Sequence, residues 1–492
     1  MPQQPLLQLE DLKVADHLLA PGFSFQLSSQ NEREILVCEQ VLRILPGRRL
    51  VMKACAGQQG LVVVKLFFER KEYLRERRGC EWLSSAKIPT ARLLSSMEDS
   101  ARHCYALVFE WLDGVSLQSL CDAGDAGDAE SAQLMLSQTS EVVAAMHKEG
   151  LRQKDIHLDN FLVVNGQSFV LDAGSVDKHA KPLKASLAKE NIACMLAQLP
   201  VSNDCDCDRH FAAYSDALEL VGFGFPALIV EVRKRRAYRW RHYRRKLARN
   251  CTEFVQDKGW SSFVMCRRDA DSAELQALLV DPDSAMANGR YLKKGNTATV
   301  ALIDVAGRPL IIKRYNIKNW LHRAGRFWRA SRGWSSWVSA YRLRFDALPT
   351  PCPIAIKEER WGPFRGRAYL VCEYVPGVDL LTYYNALSST SDADVRVAEL
   401  VEEEVRQLFD GLWQAGVSHG DMKATNILVR EDKLQLIDLD AMTIHRTAQS
   451  LTSGLESDLK RFFRNWNASQ HQRFESVLKS LVGKLASKAS PF

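Results

Sequence analysis

The 492 residues (55.6 kDa) exceed what one ordinary hydrophobic core supports, so two or three domains are expected. Hydrophobic residues at 46% and charged residues at 25% exclude a globally disordered chain. The strongest apolar run, residues 61 to 68, contains a lysine and is far too short to span a bilayer. The net charge of +7 is concentrated in one place, because residues 233 to 249 hold ten Lys/Arg and no acid, and without them the remainder is net −3.

In chain order, the first twenty residues carry acids where a secretory leader needs a basic and then an apolar run. The twelve cysteines show no evenly spaced framework, so a reducing, cytoplasmic setting is expected. VVVKLF reads as a strand carrying Lys65. A helix follows, with Glu81 as the candidate ion partner of that lysine and Glu69, Glu72 and Glu76 competing. YALVFEWLDGVSL (Tyr105 to Leu117) precedes a polar loop at residues 122 to 130. KDIHLDNFL then places Asp155 five residues before Asn160, and FVLDAGS supplies Asp172. The CDCD run at residues 205 to 208 lacks zinc-ligand spacing.

The basic segment 233 to 249 forms a helix with Trp240, Tyr243 and Leu247 on one face. It reads either as a solvated helix packing that face on its own domain or as a contact for an anionic membrane or acceptor. A charged stretch at residues 266 to 286 is expected to link two domains, residues 1–265 and 287–492. KGNTATV offers Gly295, Asn296 and Thr297 as a phosphate cover, and PLIIKRY ends a strand near Lys313. Residues 313 to 345 contain nine Lys/Arg, four tryptophans and no acid, and Tyr341 aligns with Glu81. YLVCEYVPGVDLL, HGDMKATN (Asp421, Lys423, Asn426) and QLIDLDA (Asp438) complete the chain.

The two halves repeat one another. The first and second aspartates are 17 residues apart in both, 155 to 172 and 421 to 438, and each first aspartate precedes an asparagine by five. A strand lysine, a Glu-aromatic segment, Asp-x-x-x-x-Asn and a later Asp form the ordered toolkit of the protein-kinase fold. The expected fold is α+β: two tandem protein-kinase-like domains, each with a mainly β N-lobe and a mainly α C-lobe. On that reading Lys65 and Lys313 hold ATP phosphates, Asp155 and Asp421 act on the acceptor hydroxyl, and Asn160, Asp172, Asn426 and Asp438 bind Mg²⁺.

KGNTATV, SRGWSSWVSAYRL, LPTPCPIA and YLVCEYVPGVDL further resemble the bacterial lipopolysaccharide core (Kdo/heptose) kinase family. That resemblance implies an ATP- and Mg²⁺-dependent enzyme phosphorylating an inner-core sugar at the cytoplasmic face of the inner membrane, with no nucleic-acid partner. The first half departs from the kinase pattern in its glycine-poor phosphate loop and in Gln153 and His157 where His and Lys stand in the second. The second half lacks an acid in the helix after Lys313. A tandem pseudokinase scaffold and a kinase acting on protein or a small molecule are the alternatives.

Overall fold

Strict alternation builds the sheets. In GLVVVKLF, Val62, Val64 and Leu66 are fully buried on one face, which leaves Val63 and Lys65 on the other. In PLIIKRY, Leu310 and Ile312 are buried the same way while Ile311, Lys313 and Tyr315 line a cavity. The structure is a computed structural model and describes residues 5–15, 19–28, 33–57, 60–100, 102–124, 129–218, 222–316, 330–362, 364–387 and 391–487. It is a mixed α+β chain that divides into two compact units, Met1–Leu199 with Cys205–Arg235, and Pro200–Asp204 with Arg236–Phe492.

In the first unit, strands β1 (Leu6–Leu7), β2 (Ser24–Ser28), β3 (Arg33–Leu45), β4 (Arg49–Ala56), β5 (Gly60–Phe67), β6 (Leu93–Asp99) and β7 (Cys104–Glu110) form one sheet, ordered β1-β2-β3-β4-β5-β7-β6. Helix α1 (Arg70–Ser85) follows β5. It packs so closely on the segment after Asp172 that a Cβ at Gly79 would lie 1.9 Å from the Ala173 carbonyl oxygen. Helix α2 (Ala129–Lys148) and the short strands at residues 161–164 and 167–170 complete the part that carries the Asp155 loop. Helix α3 (Phe225–Lys246) is the expected basic helix, and its residues from Arg236 onward count with the second unit.

The second unit runs through the same succession. Its sheet contains β8 (Phe254–Lys258), β9 (Ser262–Arg267), β10 (Arg290–Lys294), β11 (Ala298–Val305), β12 (Arg308–Tyr315), β13 (Pro353–Trp361) and β14 (Phe364–Glu373), ordered β8-β9-β13-β14-β12-β11-β10. Helix α4 (Arg332–Phe345) takes the place that α1 has in the first unit. Helix α5 (Asp392–Ala415) buries Val401, Val405, Leu408 and Leu412 at helical spacing and stops at Gly416 in the left-handed region (φ 68°). Helix α6 (Ala448–Phe463) closes the unit's core through Leu451, Leu455 and Phe462.

Two expectations about organisation are corrected. Residues 266–286 are not a linker: strand β9 ends there, and the helices Ala273–Val280 and Pro282–Asn288 bury Leu275, Leu278, Leu279 and Met286 in the core of the second sheet. The first unit therefore ends near Arg235 rather than at residue 265. The aromatic face of α3 is internal, as one of its two readings expects, and it belongs to the core of the second unit rather than the first. Trp240 and Leu247 are buried with Trp337 and Tyr341, and Tyr243 packs against Phe345. In the acid-free stretch residues 317–329 lie outside the described residues, but Trp334 and Trp337 of α4 pack into that same cluster rather than facing a ligand.

Candidate active site

A cavity of about 600 Å³ lies in the second unit, between its large sheet and the loops that follow α5. Lys313, Thr297, Ala298, Glu373, Asn426 and Asp438 are among the residues lining it. Lys313 reaches it because it is on the cavity face of β12, and its ammonium pairs with Asp438. Burial acts to lower the pKa of Lys313, but Tyr315 and the Asp438 carboxylate together hold it above the ordinary lysine value. Burial likewise works to raise that of Asp438, and the adjacent Lys313 charge overrides it, so the carboxyl stays ionised below its usual range. Asp438 adopts the left-handed conformation (φ 63°, ψ 53°), rare for a residue with a side chain, at the turn after the short strand Lys433–Leu436.

Asp421 is the next group along the loop. The Asn426 side-chain amide donates to its carbonyl (2.8 Å) and to its carboxylate (3.3 Å), and Lys423 bonds the carboxylate at 2.9 Å. With 36% of its side chain exposed, Asp421 remains open to an incoming group. The loop is held from below by Asp458 of α6, fully buried, which accepts the backbone N–H groups of His419 (2.6 Å) and Gly420 (2.9 Å). His419 is buried too, and its imidazole Nε2 bonds the carbonyl of Ile437, directly before Asp438. Thr350 and Pro349 pin the neighbouring strand: Thr350 donates to the Leu436 carbonyl (2.8 Å) and Leu436 N–H to the Pro349 carbonyl (2.9 Å). These are the LPT residues, and Thr90 and Pro89 make the same two bonds to Val170 in the first unit.

In the first unit Asn160 donates to the Asp155 carbonyl (2.8 Å), as Asn426 does to that of Asp421, and Asp172 is again left-handed (φ 53°). Gln153 fills the role of His419, donating to the Leu171 carbonyl at 2.9 Å. Asn191 stands in for the buried carboxylate, and its amide donates to the Gln153 carbonyl while its own oxygen meets His147. Burial pushes the His147 pKa down to about 4, so the neutral ring can donate from Nε2 to Asn191 and accept from the Tyr214 hydroxyl at Nδ1.

The ion partner of Lys65 is Glu76, not Glu81. Glu76 is buried and also accepts the Gly174 N–H (3.1 Å), whereas Glu81 points outward and pairs with Arg77. Counting back from the proline of IPT and of LPT, Ser336 is the counterpart of Glu76, both thirteen residues upstream. Ser336 bonds the Tyr315 hydroxyl (2.7 Å), and α4 is tied to the segment after Asp438 instead by Arg332, whose guanidinium pairs with Asp440. Gly295, Asn296 and Thr297 form the turn between β10 and β11, closed by Gly295 N–H on the Ala298 carbonyl (3.1 Å). Sequence reading missed Asp458, Asn191, Arg332 and Asp440. For Asp458 and Asn191 no motif exists to find, since each lies on a helix remote in sequence from the loop it holds.

Residues 317–477 match the model of the lipopolysaccharide kinase (Kdo/WaaP) family. The match takes in Asp421, Asn426 and Asp438 and begins four residues after Lys313. Over 70 residues the chain is 31% identical to the lipopolysaccharide core heptose(II) kinase WaaY of Escherichia coli, covering 14% of this chain and 27% of that protein. The chain thus spans about a quarter of the length of this curated relative. A solved structure of WaaP in complex with acyl carrier protein aligns with 44% of this chain and 94% of its own at 19% identity, with a TM-score of 0.32.

Replacing Asp458 by Asn puts an N–H₂ group where a carboxylate oxygen now accepts a backbone N–H. Leaving a buried donor unsatisfied costs about 1–3 kcal/mol. Denaturant unfolding of D458N should show that loss, and a variant as stable as the parent would mean the carboxylate does not hold the loop.

Proposed function

From the match of residues 317–477 to the lipopolysaccharide kinase (Kdo/WaaP) family model, we propose that the second unit is an ATP- and Mg²⁺-dependent phosphotransferase acting on a sugar hydroxyl of the lipopolysaccharide inner core. The observation that carries this reading is one cavity lined by Lys313, Asn426 and Asp438, with Asp421 hydrogen-bonded to Asn426 at its edge. Both units are read as protein-kinase-like, and the second holds the reacting groups.

The residues fit a magnesium ion that arrives with nucleotide. The Asn426 amide nitrogen is committed to Asp421, which leaves its side-chain oxygen as a donor, and Asp438 is held ionised. Two hard oxygens suit Mg²⁺ completed by phosphate and water, and among the described residues no cluster of three His, Cys, Asp or Glu forms a protein-only metal cage. Bound there, the ion supplies charge neutralisation on the transferred phosphate. Lys313 turns its ammonium to the α and β phosphates, and the turn closed by Gly295 offers the backbone N–H groups of Asn296 and Thr297 to them. The backbone of Glu373 to Val375 meets the adenine edge. The acceptor oxygen then attacks the γ phosphorus as the bond to the β–γ bridging oxygen breaks and ADP leaves. Asp421 takes the acceptor's proton, with Lys423 beside it to offset charge on the transferred group.

An inner-core acceptor is lipid-linked, and this gives the cationic surface of α3 a use at the anionic cytoplasmic face of the inner membrane. The buried face of the helix is spent on packing, and Arg235 and Arg236 are spent on Glu231 and Asp204. The outward face still presents Tyr238, Arg241, His242 and Arg245, with Arg249 just beyond, all exposed and without an intervening acid. In the same unit Trp260 and Trp361 are 72% and 71% exposed on adjacent hairpin turns, joined by Gly362 N–H on the Trp260 carbonyl (3.0 Å), and tryptophan favours a membrane–water interface. Among the described residues no helix is long and apolar enough to cross a membrane.

Asp421→Ala should lower core phosphorylation ~10²–10⁴-fold while Asp155→Ala leaves it near the parent rate, read by mass spectrometry of lipopolysaccharide treated with each variant and ATP. Full activity in Asp421→Ala would remove the second unit from the chemistry. Replacing Arg241, Arg245 and Arg249 by Glu should weaken binding to vesicles containing phosphatidylglycerol ~10²-fold, since each basic residue contributes up to about 1 kcal/mol near such a surface. Flotation equal to the parent's would make that face merely solvated.

A further inference from the structure

The hairpins that precede the two strand lysines have turns of the same length but opposite chemistry. In the second unit the turn is Gly295-Asn296-Thr297. In the first it is Pro46-Gly47-Arg48, in which the proline has no N–H to give a phosphate. The register then sets one residue of each hairpin beside the position two after the lysine: Ala298 opposite Tyr315, and Arg49 opposite Phe67. Arg49 therefore stands where Ala298 lines the open cavity of the second unit.

The arginine does not turn out to solvent. Its side chain is 14% exposed, and its guanidinium lies 3.5 Å from the Asp172 carboxylate and 4.0 Å from that of Glu76. Lys65 already pairs with Glu76, and Arg48 beside it pairs with Glu72 of the same helix. The carboxylates that a metal-bound phosphate would need are thus compensated from within the unit. A divalent cation brought to Asp172 would meet a fixed positive charge at hydrogen-bonding range, in a partly buried site where like charges repel strongly.

We propose that the first unit is closed to nucleotide by its own side chain: Arg49 occupies the position of the metal and phosphates, and the chain carries one Mg·nucleotide site, in the second unit. The clause about the second unit rests on the function proposed above. The clause about the first stands on the Arg49 geometry alone. Asp172, Lys65, Glu76 and Arg49 form an ion cluster that fixes helix α1 against the loop, while Asn160 keeps its hydrogen bond to the Asp155 carbonyl, so removing the arginine cation should uncover a latent site.

The test is binding stoichiometry on the full chain with the non-hydrolysable analogue AMPPNP and Mg²⁺, by equilibrium dialysis, with circular dichroism to verify folding of each variant. The parent should bind one equivalent, Asp438→Asn with Lys313→Ala none, and Arg49→Ala two. Arg49→Lys, which keeps a cation there, should stay at one, and Arg49→Met, which removes the charge but fills the space, should bind two and serves where the alanine variant fails to fold. Two equivalents in the parent, or one that survives the Asp438 and Lys313 changes, would overturn the proposal. So would a folded Arg49→Ala that gains nothing. A parent that binds none while Arg49→Ala binds one would retain the closed first unit and discard the second-unit function.

Discussion

A lysine ammonium that projects from the inner face of a β-sheet into a half-closed space must find a carboxylate inside the protein, because leaving it unpaired there costs several kcal/mol. Lys65 and Lys313 are in that position, 17% and 15% exposed. The two units answer the requirement differently. Lys65 takes Glu76 from the adjacent helix, and Asp172 is then left to Arg49. Lys313 has a helix without acid beside it, so it takes the loop aspartate itself, Asp438. From that single choice follow an occupied first site, an open second cavity, and a second helix that must be tethered by other means, through Arg332 and Asp440.

The Asp155 and Asp421 loops differ less than their sequences suggest. His419 and Gln153 have little in common as side chains, yet each donates to or bonds the carbonyl that precedes a left-handed aspartate. Asp458 and Asn191 hold the same loop by opposite hydrogen-bond polarity, one accepting from backbone N–H groups and the other donating to a carbonyl. What is preserved between the units is the path of the backbone, and each side-chain exchange is matched by a change in its partner. The replacement of a buried acid and histidine by neutral groups leaves the first loop folded while its charge balance is altered.

The parts legible in sequence were those whose spacing is local. Asp and Asn five apart, and the second Asp 17 on, fold into the same turns in both units because the segments between them are short hairpins with little freedom. Strand lysines were legible from alternation. The helix acid was not: Glu76 and Glu81 are five residues apart, about 140° around a helix, and only the packing of α1 against Gly174 decides which one faces inward. Arg49 was hidden because its position depends on cross-strand register, which a turn of three residues does not reveal. The stretch 266–286 resembled a linker because its charged residues mask Leu275, Leu278 and Leu279, whose burial is supplied by strands far away in sequence. The tryptophans Trp334 and Trp337 of α4, set among many arginines, serve the core.

The central claim is that Asp438 and Asn426 receive a metal-bound nucleotide in the second unit. Calorimetric titration of the full chain with AMPPNP, in Mg²⁺ and in EDTA, on the parent and on Asp438→Asn, tests it most directly. The account predicts that the parent binds more tightly in Mg²⁺ than in EDTA and that the substitution removes most of that difference while changing EDTA affinity little. An affinity indifferent to both the metal and the substitution would contradict it.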